Sequence, residues 1–241
     1  MMDRAALLVF AKAPVPGTVK TRLTGLLTEA EAAELYEAFL RDSLDAYRTL
    51  SVDVRLYLAG DAEALPPDLV PDGVTLHAQR GDGLGARMAA AFAETFVAGY
   101  GRVAIIGTDH PTLPLAFVAR AFDELDAPLH VVIGPSDDGG FYLLGMTDLH
   151  PGLLDGMTYS HGAVFEQTLA RAQRLAAQTA ILPPWYDVDT PEALRRLGAD
   201  LAADKDGEPV TPCTRRVLAR LRLAHSILDV DYPPQDVADP T

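Results

Sequence analysis

Short apolar runs alternate along this chain with longer stretches of helical periodicity. Leu7-Leu8-Val9-Phe10-Ala11 is an unbroken apolar run bounded by Pro14 and Gly17, the pattern of a strand buried on both faces that feeds a loop. Thr28-Glu29-Ala30-Glu31 has the spacing of a capping box. Behind it Ala32, Leu35, Tyr36, Phe39, Leu40 and Leu44 recur at helical intervals, which predicts a long helix. Val52 to Leu58 and Val74 to Ala78 read as the second and third strands, Leu84 to Ala98 as an alanine-rich helix and Val103 to Gly107 as a fourth strand. A helix from Pro114 to Leu125 and a fifth strand from Leu129 to Ile133 continue the alternation, which is that of an α/β fold.

The pattern changes after Ile133. Gly134 to Gly140 is turn-rich and Phe141-Tyr142-Leu143-Leu144 reads as a strand, so an antiparallel element and a mixed sheet are expected. Gly162 to Ala177 predicts a helix and Thr179 to Leu182 a strand. Thr190 stands as cap to a helix from Pro191 to Ala203, proline suiting the first helical position, and Thr211-Pro212 opens another helix by the same logic. Ala203 to Pro209 reads as a linker and the end from Asp229 onward as an irregular tail. No internal repeat or low-complexity tract is visible.

Composition narrows the class. A length of 241 residues is compatible with one large α/β domain or two small ones, and one is expected. No apolar stretch approaches the roughly 20 residues needed to span a bilayer, and Met1-Met2-Asp3-Arg4 lacks a signal-peptide pattern, so a cytoplasmic protein is expected. The single cysteine, Cys213, excludes an intrachain disulfide and a multi-cysteine zinc site. A formal charge of −14 argues against nucleic acid and against anionic membrane surfaces as partners. An acidic protein that binds a polyanionic nucleotide must supply local cations or a divalent metal, which links the candidate residues to one another.

Those candidates lie in loops that follow apolar runs. Ala13-Pro14-Val15-Pro16-Gly17-Thr18-Val19-Lys20-Thr21-Arg22 lacks a complete Walker pattern, since no glycine directly precedes its lysine. Pro14, Pro16 and Gly17 would shape a turn from which Lys20 and Arg22 contact phosphate as point charge and fork; the alternative is a solvated loop. Gly81-Asp82-Gly83-Leu84-Gly85 is either a turn with Asp82 as helix cap or a backbone wall beside a nucleotide, with Arg87 one turn into the helix. Asp109, in Gly107-Thr108-Asp109-His110-Pro111, is placed as a magnesium ligand or as a cap ahead of Pro114. Asp189, in Asp187-Val188-Asp189-Thr190-Pro191-Glu192, is a ligand or the start of a helix. Ser136-Asp137-Asp138-Gly139-Gly140 has the composition of a tight hairpin turn, from which Asp137 or Asp138 could still reach the same cleft and accept a proton. His110 and His161 are the histidines that adjoin candidate loops, and neither a zinc spacing nor a serine-hydrolase elbow is present.

Taken in order, Phe10-Ala11-Lys12-Ala13-Pro14 with Gly17 and Lys20-Thr21-Arg22-Leu23, Gly107 to Pro111, Asp138 to Gly145 and Asp187 to Pro191 resemble the DUF2064 group of GT-A glycosyltransferase-like proteins. That group is also described as a selenodomain-associated or arsenosugar-biosynthesis transferase family. The resemblance spans Leu7 to Leu201 and extends to sugar nucleotidylyltransferases, including 2-phospholactate guanylyltransferases. It implies an α/β, Rossmann-like GT-A three-layer sandwich with a mixed, mostly parallel central sheet. Residues 1–203 would form the nucleotide-binding transferase domain, with residues 204–241 as a C-terminal helix and tail packed on or extending it. By similarity it assigns phosphate contact to Lys20 and Arg22, a metal to Asp109 and a second metal contact to Asp189. The Gly-Thr-Arg-containing first loop usual in many nucleotidylyltransferases is replaced here by a proline-containing Lys-Thr-Arg loop.

The expected activity is transfer of a sugar from a nucleotide-diphosphate sugar to a small-molecule acceptor with Mg²⁺ or Mn²⁺. The alternative is nucleotidyl transfer, in which a phosphorylated or carboxylated small molecule attacks a nucleoside triphosphate and pyrophosphate leaves; a catalytically silent binding protein is a third class. Ala11, Pro14, Gly17, Lys20, Arg22, Asp82, Gly83, Arg87, Thr108 and Asp109 form the candidate nucleotide-binding set, Asp109 and Asp189 the metal pair, and Asp138, Asp137 and Lys20 the candidate catalytic residues. A homo-oligomer is compatible with this reading.

Overall fold

The computed structural model describes residues 4–159, 161–203 and 211–225. The first apolar run forms β1 (Ala5–Lys12), and the capping box opens α1 (Glu29–Tyr47) with both reciprocal bonds made between Thr28 and Glu31. There follow β2 (Asp53–Ala59), β3 (Thr75–Ala78), α2 (Leu84–Val97), β4 (Arg102–Ile106), α3 (Leu115–Glu124), β5 (His130–Pro135) and β6 (Phe141–Met146). A short α4 (Pro151–Leu154), which the sequence pattern does not announce, precedes α5 (Val164–Arg174), β7 (Gln178–Ile181), α6 (Pro191–Ala203) and α7 (Pro212–His225). The predicted linker beyond Ala203 and the predicted tail from Asp229 lie outside the described residues.

The strands form one seven-stranded sheet in the order β3-β2-β1-β4-β6-β5-β7. Only β6 runs against its neighbours, pairing antiparallel with β4 and β5, so the sheet is mixed as the turn-rich segment predicts. Residues of β1 alternate between two layers. Leu7, Val9 and Ala11 join Leu40 and Leu44 of α1 and Val118 and Phe122 of α3, whereas Ala6 and Leu8 join Met88 and Phe92 of α2, Leu153 of α4 and Ala172 of α5. A strand covered on both faces must be apolar throughout, and each fully buried leucine here contributes about 2 kcal/mol.

A third cluster seats the C-terminal helices. The opposite side of α1 (Leu35, Phe39) packs on Leu194 and Leu197 of α6 and on Val217 and Leu218 of α7. Two expected caps are corrected by the structure. The Thr211 hydroxyl has no hydrogen-bond partner; the amino end of α7 is instead capped from α1, where the buried Asp42 carboxylate accepts the amides of Cys213 (3.0 Å) and Thr214 (2.7 Å). Asp82 does not cap α2 either. The cap is Gly83, at φ 89°, a backbone conformation that an L side chain resists, and no side chain bonds to that helix end. Thr190 does cap α6, its hydroxyl accepting the Ala193 amide at 3.2 Å.

Candidate active site

Parallel strands β1, β2, β3, β4, β5 and β7 deliver their following loops to one edge of the sheet, and the reversed β6 brings the hairpin turn before it to the same edge. Two backbone ties fix the last of these loops. The Val188 amide donates to the Asp109 carbonyl (2.9 Å), which sets Asp189 beside Asp109, and the Asp137 amide donates to the Trp185 carbonyl (2.9 Å), which sets the hairpin turn against the same segment. Side chains reinforce the join. Ser136 donates to Asp187, whose other oxygen lies 3.2 Å from His110 Nδ1, so Asp187 bridges the ends of β4 and β5. Burial pushes the Asp187 carboxyl above its ordinary value, and the opposing pull of His110 and Ser136 does not cancel that.

Two adjoining cavities result. The larger, about 600 Å³, is lined by Ala11, Lys20, Arg22, Gly83, Arg87, Thr108, Asp109 and Asp189 together with Lys12, Tyr36, Gln79 and others. The smaller, about 310 Å³, is lined by Asp137, Asp138, Asp187, Thr190, Glu192 and Arg196 among others. Arg22 and Asp189 belong to both linings and so mark the junction. Of the sequence candidates, Pro14, Gly17 and Asp82 stand outside both linings. Gly17, at φ 77°, instead turns the loop so that its Cα faces the Glu29 carboxylate. His161 accepts the Ala163 amide and lines neither cavity.

Lys20 is not an open loop cation. Its backbone is left-handed at φ 48°, and its ammonium donates to Asp109 and, at 2.8 Å, to Asp189. The side chain is 2% exposed while the two aspartate side chains are each 38% exposed, so the lysine lies behind the carboxylates and they face the cavity. Phe39 and Tyr36 present ring faces to the ammonium at 5.4 and 5.9 Å. Burial by itself lowers the Lys20 ammonium, but the charges of Asp109 and Asp189 outweigh it and hold it above the ordinary lysine value. Burial likewise acts to raise Asp109, yet Lys20 and His110 hold it below the usual carboxylate range.

Other residues that line the cavities carry no motif. Gln79 donates its side-chain amide to the carbonyls of Ala11 (3.2 Å) and Tyr57 (2.9 Å), fixing it in the wall of the larger cavity. Tyr36 accepts from the Lys12 amide and the Thr108 hydroxyl, each at 3.0 Å, and thereby ties β1 to β4. Arg196 lies 3.8 Å over the Tyr186 ring and donates to Asp137 at 2.9 Å, walling the smaller cavity from α6. Helical periodicity marks Arg196 only as a polar position, and a lone glutamine after a strand carries no signal at all.

Among the described residues no group of three or more His, Cys, Asp or Glu side chains converges as a metal cage. Two carboxylates do share one cation, the Lys20 ammonium, and retain exposed surface towards the cavity. That donor set suits a hard divalent ion that completes its shell with phosphate oxygens and water.

The family profile described as "Uncharacterized protein conserved in bacteria (DUF2064)" matches residues 43–161. A comparison with curated protein sequences finds no match. Among solved structures, a protein of Desulfovibrio desulfuricans G20 provisionally assigned as a nucleotide-diphospho-sugar transferase is similar at 31% identity. The TM-score is 0.85, over 94% of this chain and 99% of that one. Rv0371c of Mycobacterium tuberculosis H37Rv, in its complex with manganese, is similar in fold at 19% identity and TM-score 0.53, over 82% of this chain and 98% of that one. The inositol-1-phosphate CTP transferase of T. maritima is similar in fold at 12% identity and TM-score 0.53, over 92% and 97% of the two chains. Among the described residues no helix is long and apolar enough to cross a membrane. The chain belongs to the DUF2064 family, on the α/β, Rossmann-like fold of the nucleotide-diphospho-sugar transferases.

Proposed function

We propose that this protein transfers a sugar from a nucleotide-diphosphate sugar to an uncharged or cationic hydroxyl-bearing acceptor. The observation that carries this reading is the charge of the smaller cavity. Apart from Asp189, which Lys20 already neutralises, Asp137, Asp138, Asp187 and Glu192 line it against only Arg22 and Arg196, and Arg196 is already paired with Asp137. Like unit charges about 5 Å apart repel by roughly 3 kcal/mol at an effective dielectric near 20. A phosphorylated nucleophile, which nucleotidyl transfer to a sugar phosphate requires, is therefore a poor occupant. A neutral polyol or amino alcohol offers donors to the same carboxylates.

The larger cavity takes the nucleotide, with its diphosphate at the junction where Arg22 offers a forked donor to phosphate oxygens. Asp109 and Asp189 would hold Mg²⁺ or Mn²⁺, which when bound neutralises charge on the diphosphate. The manganese complex of the Mycobacterium protein makes Mn²⁺ the first ion to try. One oxygen of Asp138 accepts the Gly140 amide at 2.8 Å and closes the turn, leaving the other for the acceptor. That oxygen takes the acceptor hydroxyl proton as the acceptor oxygen bonds to the anomeric carbon. The bond from that carbon to the diphosphate breaks, and the nucleoside diphosphate leaves with the electron pair, stabilised by Arg22.

Panels of sugar nucleotides and of nucleoside triphosphates, each with Mn²⁺ and candidate acceptors, test the reading by the product released. Nucleoside diphosphate from a sugar nucleotide, dependent on a hydroxylated acceptor, is expected. Pyrophosphate released from a triphosphate by a sugar phosphate overturns it in favour of nucleotidyl transfer.

A further inference from the structure

A loop lysine next to a nucleotide cleft is ordinarily expected to be free for phosphate, whereas the Lys20 ammonium donates to Asp109 and Asp189. Its left-handed backbone is one that a residue with a side chain resists, so its surroundings must over-determine that conformation. The ammonium sits behind two carboxylates and between two aromatic faces, almost wholly buried. Each carboxylate spends one oxygen on it.

The consequence is electrostatic. Asp109 and Asp189 without Lys20 are a pair of negative charges open to the cavity, a seat that attracts a bare divalent ion. With Lys20 the seat carries one net negative charge, and half its oxygens already bind a cation. A diphosphate arriving with the ion restores the missing negative charge and adds oxygen ligands.

We propose that Lys20 is an internal counter-cation that keeps the Asp109–Asp189 pair from holding a divalent ion alone, so that the ion is accepted only together with the nucleotide diphosphate. The inference rests on the metal assignment within the proposed function, not on which bond the enzyme breaks. It gives the chain a means of discriminating a metal–nucleotide complex from free metal, which an exposed pair of aspartates lacks.

Mn²⁺ binding to the nucleotide-free protein, read from the loss of the free-ion paramagnetic resonance signal, tests it without any turnover. Wild type should bind weakly, and Lys20→Met, which keeps the apolar stem beside Phe39 and Tyr36, should bind at least about tenfold more tightly, a change of 1.4 kcal/mol. Lys20→Arg, still cationic, should not. A Lys20→Met protein no tighter than wild type, including the case in which neither binds, overturns the proposal, as does an equal gain in Lys20→Met and Lys20→Arg. Should Lys20→Met fail to fold, wild type alone decides. With the Mn²⁺ held by the nucleoside diphosphate in solution subtracted using a protein-free titration, its Mn²⁺ affinity should rise at least about tenfold when the nucleotide is added, and tight binding without nucleotide contradicts the proposal. Product identity is measured separately, so the glycosyl-transfer reading stands or fails independently.

Discussion

The two cavities at the sheet edge share a wall and differ in almost everything else. The larger is built from loops after parallel strands and is lined by Lys12, Arg22 and Arg87 together with the Lys20–Asp109–Asp189 cluster. The smaller is built from the one place where the sheet departs from parallel order, the turn before β6, closed by the segment before α6 and by Arg196. The larger cavity sets Lys12, Lys20 and Arg87 against Asp109 and Asp189, whereas the smaller sets Asp137, Asp138, Asp187 and Glu192 against Arg196. The difference teaches that one sheet edge can carry two cavities of opposite charge balance, divided at Arg22 and Asp189.

The largest effect that could break this comparison lies in the acidic cavity. Asp138→Asn should retain nucleotide affinity, since Arg22, Asp109 and Asp189 remain, yet lose roughly 10²–10⁴-fold in transfer, the usual range for a general base. The substitution keeps the turn, because an asparagine oxygen accepts the Gly140 amide as the carboxylate does. Rates of transfer beside calorimetric nucleotide affinities check it. Undiminished transfer removes Asp138 from the chemistry and moves attention to Asp137.

A smaller effect is expected at the junction. Arg22→Ala should weaken nucleoside diphosphate binding and slow transfer by at least about tenfold, the equivalent of one charge-assisted hydrogen bond. Arg22 is exposed and makes no core contact, so the melting temperature should stay near that of wild type. Normal affinity in a folded variant would show that the diphosphate does not sit where the two cavities meet.

Much of the frame was legible before the structure, for definite reasons. Unbroken apolar runs announce strands covered on both faces, and β1, β4 and β5 are such strands. The Thr28 box announces α1, and the Asp-Gly composition at 138–139 announces the reversal into β6. What was not legible depends on contacts remote in sequence. The cap of α7 comes from Asp42, 171 residues before Cys213, and no local pattern encodes it. The burial of Lys20 depends on a positive φ at a residue that is not glycine, which is imposed by Asp109, Asp189 and the rings of α1 and not by its neighbours in sequence. Gln79 and Arg196 enter the site through strand order and helix packing, so neither was found. Asp109 was singled out because it follows β4 by three residues, a position that survives any choice of strand order, whereas Asp189, eight residues beyond β7, was marked by the Asp-Thr-Pro-Glu start of α6 and by resemblance.

The central claim is that the smaller cavity takes an acceptor without negative charge. It is tested most directly by three probes on one sugar ring, glucose, glucosamine and glucose 6-phosphate, titrated into the protein with a nucleoside diphosphate and Mn²⁺ in place. Saturation-transfer NMR should show glucosamine and glucose bound and glucose 6-phosphate at least about tenfold weaker, a penalty of 1.4 kcal/mol that is modest beside one like-charge contact. Glucose 6-phosphate binding as tightly as the uncharged sugar, or no signal from any of the three, would contradict it.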